Sequence, residues 1–195
     1  MIAINPRKIS GNWTSGYALD VHTLSSTHLG MDERGHDVYD TKRSEIGELL
    51  YRLKYRGDQE AAKEIIAAAA DFVRPSRGKF DLIVPVPPSG ARAVQPVIIL
   101  ANGIGAALDL PVADCIATTR PATQLKGVMD AERRKEMLAG LHSVDAKVTT
   151  GKSILLFDDL FRSGSTMNAI TELLLGAGKA ASVRALTITR TRSNQ

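Results

Sequence analysis

The stretch Ile154-Leu-Leu-Phe-Asp-Asp-Leu-Phe-Arg-Ser-Gly-Ser-Thr-Met167 constrains this chain more than any other. Four consecutive apolar residues leave a strand no polar face, so it must be covered on both sides, as in a parallel sheet. The run ends in two adjacent carboxylates, and a short loop of small hydroxylic residues then opens a helical pattern. A helix N-terminus presents unpaired N–H groups and the positive end of the helix dipole. Gly164 lets the backbone approach an anion closely. Ser163, Ser165 and Thr166 add hydroxyl donors, and Arg162 adds charge at the rim. The loop reads as a phosphate cup. Asp158 and Asp159, one loop-width upstream, are too close to a phosphate to be its ligands. They suit the hydroxyls of a neighbouring ribose, donors that a carboxylate accepts well.

The rest of the chain alternates in the same sense. Ile46, Leu49, Leu50 and Leu53 recur at helical spacing up to a stop at Gly57, and a second helix is predicted from about Asp58 to Val73. Phe80 to Val86 is an apolar strand running into Pro87-Pro88. A helix is predicted from about Gln95 to Leu108, a strand over Val112–Thr118 and a helix over Ala131–Leu141. Strand Ser153–Phe157, helix Thr166–Leu175 and strand Ser182–Thr189 close the series. Strands alternating with helices predict an α/β fold with a mostly parallel central sheet flanked by helices. Ligands of such sheets bind beyond the carboxyl ends of the strands.

The first forty residues are more polar and hold His22, His28 and His36, three of the four histidines. Tyr17, Leu19, Val21 and Thr23 fall on one side of an extended segment. We expect residues 1–43 to form a small N-terminal hood or flap and residues 44–195 the core, within one compact domain. Asp20, His22 and the stretch from His28 to His36 are candidates for lining a second ligand's pocket, the bland alternative being scattered surface histidines.

Composition excludes several classes. No run of about eighteen apolar residues exists to span a membrane, and Met1 to Lys8 does not read as a secretory signal. Cys115 is the only cysteine, so neither an internal disulfide nor a cysteine zinc site is available. A cytoplasmic location is the expectation. The net charge of +4 suits a small polyanion as well as nucleic acid. Ala146-Lys-Val-Thr-Thr-Gly-Lys-Ser153 mimics a nucleotide-binding P-loop, but it precedes a strand instead of following one, so its context is backwards.

The run of four apolar residues, Asp158-Asp159, three residues and Ser163-Gly164-Ser165-Thr166 resembles, without a gap, the signature of type I phosphoribosyltransferases. These enzymes act on 5-phosphoribosyl 1-pyrophosphate (PRPP). The resemblance implies that Asp158 and Asp159 are the catalytic carboxylates and that Arg162 to Thr166 bind the 5′-phosphate. It implies pyrophosphate binding by Pro88, Ser89, Gly90 and Arg92 after the Leu82–Val86 strand, with Lys54 as a further contact. The polar stretch carrying Arg120, Thr123, Gln124 and Lys126 becomes a loop of the hood that closes over PRPP. Mg²⁺ is implied as a cofactor carried by PRPP and positioned by Asp158 and Asp159, with no direct metal ligands.

The order of the Tyr51–Asp58 helix end, the Val-Pro-Val-Pro strand end, Arg120…Glu132-Arg133 and the Asp-Asp loop is similar to the ComF-like, amidophosphoribosyltransferase-like branch. That branch usually begins with a four-cysteine zinc ribbon, which is missing here, and Thr123-Gln124 stands at tighter spacing than its usual pattern. The implied function is Mg-dependent transfer of the 5-phosphoribosyl group to a nitrogen nucleophile with release of pyrophosphate. The implied partners are PRPP and a small-molecule acceptor, with a homodimer as the expected assembly. The alternatives are a PRPP-sensing protein without turnover and a DNA-uptake-associated binding protein.

Overall fold

The computed structural model describes residues 2–88, 95–119 and 140–192. Along the chain run β1 (Arg7–Lys8), β2 (Gly16–Val21), β3 (Thr23–Met31), β4 (Asp37–Arg43), α1 (Glu45–Arg56) and α2 (Gln59–Val73). A 3₁₀ turn (Arg74–Lys79) leads to β5 (Leu82–Pro85), α3 (Pro96–Leu108) and β6 (Ile116–Thr118). Then come β7 (His142–Val144), a single turn α4 (Ala146–Thr149), β8 (Ser153–Phe161), α5 (Ser165–Leu175) and β9 (Ser182–Arg190). The central sheet has the order β1-β2-β9-β8-β5, with β2, β9, β8 and β5 mutually parallel and β1 antiparallel at the edge. This is the α/β architecture expected from the alternation.

Strand alternation divides the core in two. Leu155 and Phe157 of β8, with Leu186 and Ile188 of β9, pack under α1, α2 and α3 against Leu50, Leu53, Ile65 and Leu100. Leu156 and Ile154, with Val183 and Ala185, face Met167, Ile170 and Leu174 of α5. The α1–α2 corner is held by the residues expected to make it. Gly57 takes a left-handed φ of 65° and donates to Arg52 and Leu53 carbonyls. Asp58 caps α2 by accepting from the Ala61 amide at 3.1 Å and also grips Arg52 at 2.5 Å.

Two expectations are corrected. The boundary between residues 43 and 44 does not separate a flap from the core, because β2 is an inner strand of the central sheet between β1 and β9. Ala18 and Leu19 lie on opposite faces and are both fully buried, so this segment needs cover on both sides. Residues 23–43 alone stand off, as the β3–β4 hairpin, whose residues are nearly all exposed. The strand expected over Val112–Thr118 shrinks to Ile116–Thr118 and pairs antiparallel with β7 outside the central sheet. Upstream, Val112 makes a single parallel bridge to Ile83. Of β6 only Ile116 is buried, joining the core on the α5 side, while Ala117 and Thr118 are exposed. Most of the helix expected over Ala131–Leu141 lies outside the described residues. Among the described residues no helix is long and apolar enough to cross a membrane.

Candidate active site

β8 delivers its two carboxylates to opposite faces at the carboxyl edge of the sheet. Asp158 follows Leu156 on the α5 side, and Asp159 follows Phe157 on the α1 side. Lys54, in the last turn of α1, meets Asp159 there at 2.9 Å, with the two side chains only 12% and 17% exposed. Asp158 turns back to accept the Asp159 amide at 2.8 Å. Asp158 is half-buried, and desolvation of its carboxyl, with the adjacent Asp159 charge adding, raises its pKa to about 7, against the pull of that backbone bond and of Lys54. Opposite Asp158 in register is Thr187, a buried residue whose hydroxyl has no partner among the described residues.

The chain then turns through Arg162 and Ser163, both exposed, to Gly164, which caps α5 at φ 77°. Gly164 offers no capping side chain and only the Ser165 amide finds one, the Ser163 hydroxyl at a long 3.5 Å, so the amides that follow in the first turn stay open for an anion. The Ser163 and Ser165 hydroxyls lie 2.9 Å apart, and Ser165 and Thr166 are half-buried at the start of the helix. On the other flank, the Val86 amide donates to the Phe157 carbonyl at 2.8 Å, so the exposed Pro88 leaves the sheet beside the carboxylates. The fold thus brings Asp158, Asp159, Arg162 to Thr166, Lys54 and Pro88 to one edge. Ser89, Gly90 and Arg92, and the hood residues Arg120, Thr123, Gln124 and Lys126, lie outside the described residues.

The histidines separate. His28 and His36 sit on the exposed hairpin, where Asp37 holds the first at 2.9 Å and Asp32 the second at 3.5 Å. His22 instead follows the last residue of β2, with its amide on the Arg190 carbonyl at 2.7 Å and its Nδ1 3.2 Å from Thr189 Oγ1. Burial holds its pKa below the usual range, with Lys54 and Arg43 adding and Asp159 and Glu48 opposing. Asp20, also buried, accepts the Val21 amide at 2.7 Å. Sequence reasoning missed Arg43, which pairs with Glu48 at 3.1 Å and lies 3.9 Å over the Tyr51 ring, beside Lys54 on α1. Nothing in its local pattern signals that placement, since it arises from the hairpin folding back onto α1.

The Lys54 pair carries a prediction. Lys54→Met leaves two carboxylates together without their cation, so destabilisation of about 1–3 kcal/mol is expected at pH 8. The loss should be smaller at pH 6, where protonation of Asp158 leaves one carboxylate charge there instead of two. Urea unfolding at the two pH values measures it, and an equal loss at both would contradict the coupling.

Comparison with known proteins places this geometry. A family model described as phosphoribosyl transferase domain matches residues 56–195. The competence protein ComFC of Bacillus subtilis (strain 168) is 31% identical over 163 residues, covering 80% of this chain and 64% of that protein. The chain therefore spans just under two thirds of the length of that relative. Among solved structures, the glutamine PRPP amidotransferase from B. subtilis complexed with ADP and GMP superposes with a TM-score of 0.51 at 17% identity, over 81% of this chain and 35% of that one. An adenine phosphoribosyltransferase gives 0.50 at 13% identity, over 86% and 85%. At such identities the two structures speak for the shared fold.

Proposed function

Because the chain belongs to the phosphoribosyl transferase domain family, we propose that it binds PRPP and transfers the 5-phosphoribosyl group to a nitrogen nucleophile, releasing pyrophosphate. One observation carries the reading: a helix N-terminus without a capping residue, behind a Ser-Gly-Ser-Thr turn, stands with a half-buried pair of carboxylates and a lysine at one sheet edge. The open amides of α5, with the hydroxyls of Ser163, Ser165 and Thr166, take the 5′-phosphate, and Arg162 adds charge at the rim. Asp158 and Asp159 accept the ribose hydroxyls, which holds C1 in place through binding energy from the remote phosphate. Lys54 and Pro88 stand at the same sheet edge and would take the pyrophosphate side. In the reaction the C1–O bond to pyrophosphate breaks with its electron pair going to the leaving group. The C1–N bond forms from the acceptor's lone pair, and the acceptor nitrogen gives up a proton.

The carboxylate pair fits Mg²⁺ in its donor chemistry, since hard oxygen ligands suit that ion. Among the described residues no group of three or more His, Cys, Asp and Glu gathers to hold a metal. Asp158 and Asp159 would therefore position a Mg²⁺ carried by PRPP, which would supply charge neutralisation for the leaving pyrophosphate.

Calorimetric titration of PRPP with Mg²⁺, repeated in EDTA, tests the reading. Metal-dependent binding in the micromolar range is expected, followed by pyrophosphate release with one member of a panel of bases and amines. Absence of PRPP binding by folded protein would end the proposal. A second reading draws on the competence-protein relative: PRPP binding without turnover, in a protein serving DNA uptake. Binding without pyrophosphate release across the panel would favour it.

A further inference from the structure

The loop between β1 and β2 lies outside residues 56–195, the part of the chain that matches the family, yet it is built against the phosphate turn. Trp13 is the only tryptophan of the chain and is buried. Its Nε1 donates to the Ile9 carbonyl at 3.1 Å, and the Ile9 amide closes the loop onto the Gly16 carbonyl at 3.0 Å. Gly11 and Gly16 admit the indole by lacking side chains: a Cβ on either would stand 2.4 Å from a Trp13 atom. The loop is fastened to β9 as well, by the Thr14 amide on the Val183 carbonyl and the Ala185 amide on the Ser15 carbonyl, each at 2.9 Å.

From this anchored position two contacts reach the phosphate turn. Trp13 meets Phe161, the last residue of β8, edge to face with centroids 6.1 Å apart and planes at 81°. The far side of that link is Gly164, whose Cα lies so near the Phe161 ring that a Cβ would come within 2.8 Å of Cε2. In parallel, Asn12 ties the loop to α5: its amide donates to Asn168 Oδ1 at 2.8 Å and its Nδ2 to Glu172 Oε1 at 2.6 Å. Asn168 belongs to the first turn, its own amide donating to the Gly164 carbonyl at 2.8 Å. The phosphate turn therefore rests on Phe161, and Phe161 on Trp13, while Asn12 holds the start of the helix.

We propose that the Gly11–Thr14 segment is a working part of the 5′-phosphate site, with Trp13 and Asn12 as positioning residues that set the Arg162–Thr166 turn for a sugar phosphate. The inference rests on the PRPP reading above and adds to it a segment outside the family match. Two consequences follow from the geometry. Truncating the indole loosens the turn, which weakens ligands that carry a 5′-phosphate and spares those that do not. Filling the turn shifts Phe161 and so changes the emission of Trp13, the one indole of the protein.

The test titrates PRPP, ribose 5-phosphate and inorganic pyrophosphate into full-length wild type, Trp13→Phe, Trp13→Leu and Asn12→Ala, by calorimetry with Mg²⁺. Tryptophan emission of the wild type and of Asn12→Ala is recorded alongside. Trp13→Leu should weaken PRPP and ribose 5-phosphate about tenfold, the scale of one lost aromatic pair, and leave pyrophosphate unchanged. Trp13→Phe keeps an edge for Phe161 and should recover most of the affinity. Asn12→Ala keeps the backbone bond to Asn168 but removes the side-chain bond to Glu172, and should weaken the same two ligands about threefold. Should Trp13→Leu not fold, the Asn12 variant and the wild-type emission decide the matter. Unchanged sugar-phosphate affinity in folded variants, or emission unmoved at saturation, would overturn the inference while PRPP binding stands. Equal weakening of all three ligands would make the segment merely structural and overturn it too. A wild type that binds neither PRPP nor ribose 5-phosphate would remove both readings together.

Discussion

Asp158→Asn is expected to weaken PRPP binding by about two orders of magnitude and, at pH 8, to make the free protein more stable. The first effect follows from the loss of a charged acceptor for a ribose hydroxyl and for the ion that accompanies PRPP; each charge-assisted bond contributes about 1.5–3 kcal/mol. The second follows from the pKa of about 7 that burial and the Asp159 charge give Asp158. A carboxyl raised above its unfolded value of 3.8 binds more protons folded than unfolded. Stability therefore falls as pH rises from about 4 through 7, and above 7 the full cost of the buried charge is present. Asparagine carries no such cost, and its Oδ1 can still accept the Asp159 amide. The gain at pH 8 should be on the order of 2 kcal/mol and should shrink markedly by pH 5.5. Urea midpoints at the two pH values measure it; a variant less stable than wild type at pH 8 would show that the carboxylate is not strained.

The same ionisation predicts the ligand's pH response. An ionised carboxylate accepts ribose hydroxyls more strongly than a protonated one, so wild-type affinity for PRPP should climb between pH 6 and pH 8. PRPP has phosphate protons of its own in that range. The informative quantity is thus the difference between wild type and Asp158→Asn, which should be steep below pH 7 and flat above it. A site that weakens its own fold in order to hold a charge is what a binding role for Asp158 requires. Asp159 differs because Lys54 neutralises it at 2.9 Å.

How much of this was legible in the sequence depended on how local the causes are. The Ile154–Met167 stretch carries its strand, its turn and its helix start within fourteen consecutive residues, and the structure puts all three there. The stop at Gly57 was legible for the same reason: a left-handed glycine is a single-residue signal. β2 was seen as a strand but assigned to a flap, because its parallel partner β9 is contributed more than 160 residues later, Gly16 pairing with Ala185. Local pattern does not name a partner. Lys54 was implied by the family resemblance, whereas its pairing with Asp159 needed the fold, since a lysine on an amphipathic helix is ordinarily solvated. Trp13 gave no signal at all. Its role depends on Gly11 and Gly16 making room for it and on Phe161 meeting it from the far end of the chain.

Gly164→Ala is expected to abolish phosphate anchoring by a route that leaves every charged group in place. Two penalties coincide at this position. The backbone sits at φ 77°, a conformation that costs an L residue about 1–2 kcal/mol. The new methyl would also stand 2.8 and 2.9 Å from two Phe161 ring atoms, closer than real Cβ contacts allow. Phe161 cannot easily withdraw, because it is itself buried and braced by Trp13. The turn must therefore move instead, and with it the amides and hydroxyls that would grip the phosphate. A misplacement on the order of 1 Å costs about a hundredfold where geometry governs the interaction. Gly151 separates the two penalties, since its φ is 72° and a Cβ there meets nothing within 4 Å. Gly151→Ala should thus lose only the backbone cost in urea unfolding, about 1–2 kcal/mol, with ribose 5-phosphate affinity intact. Gly164→Ala should lose more, about 2–4 kcal/mol, together with its affinity. Adding Phe161→Leu to Gly164→Ala removes the obstructing ring and should return part of the lost affinity; if the double variant binds no better than Gly164→Ala, the clash with Phe161 is not what disables the turn.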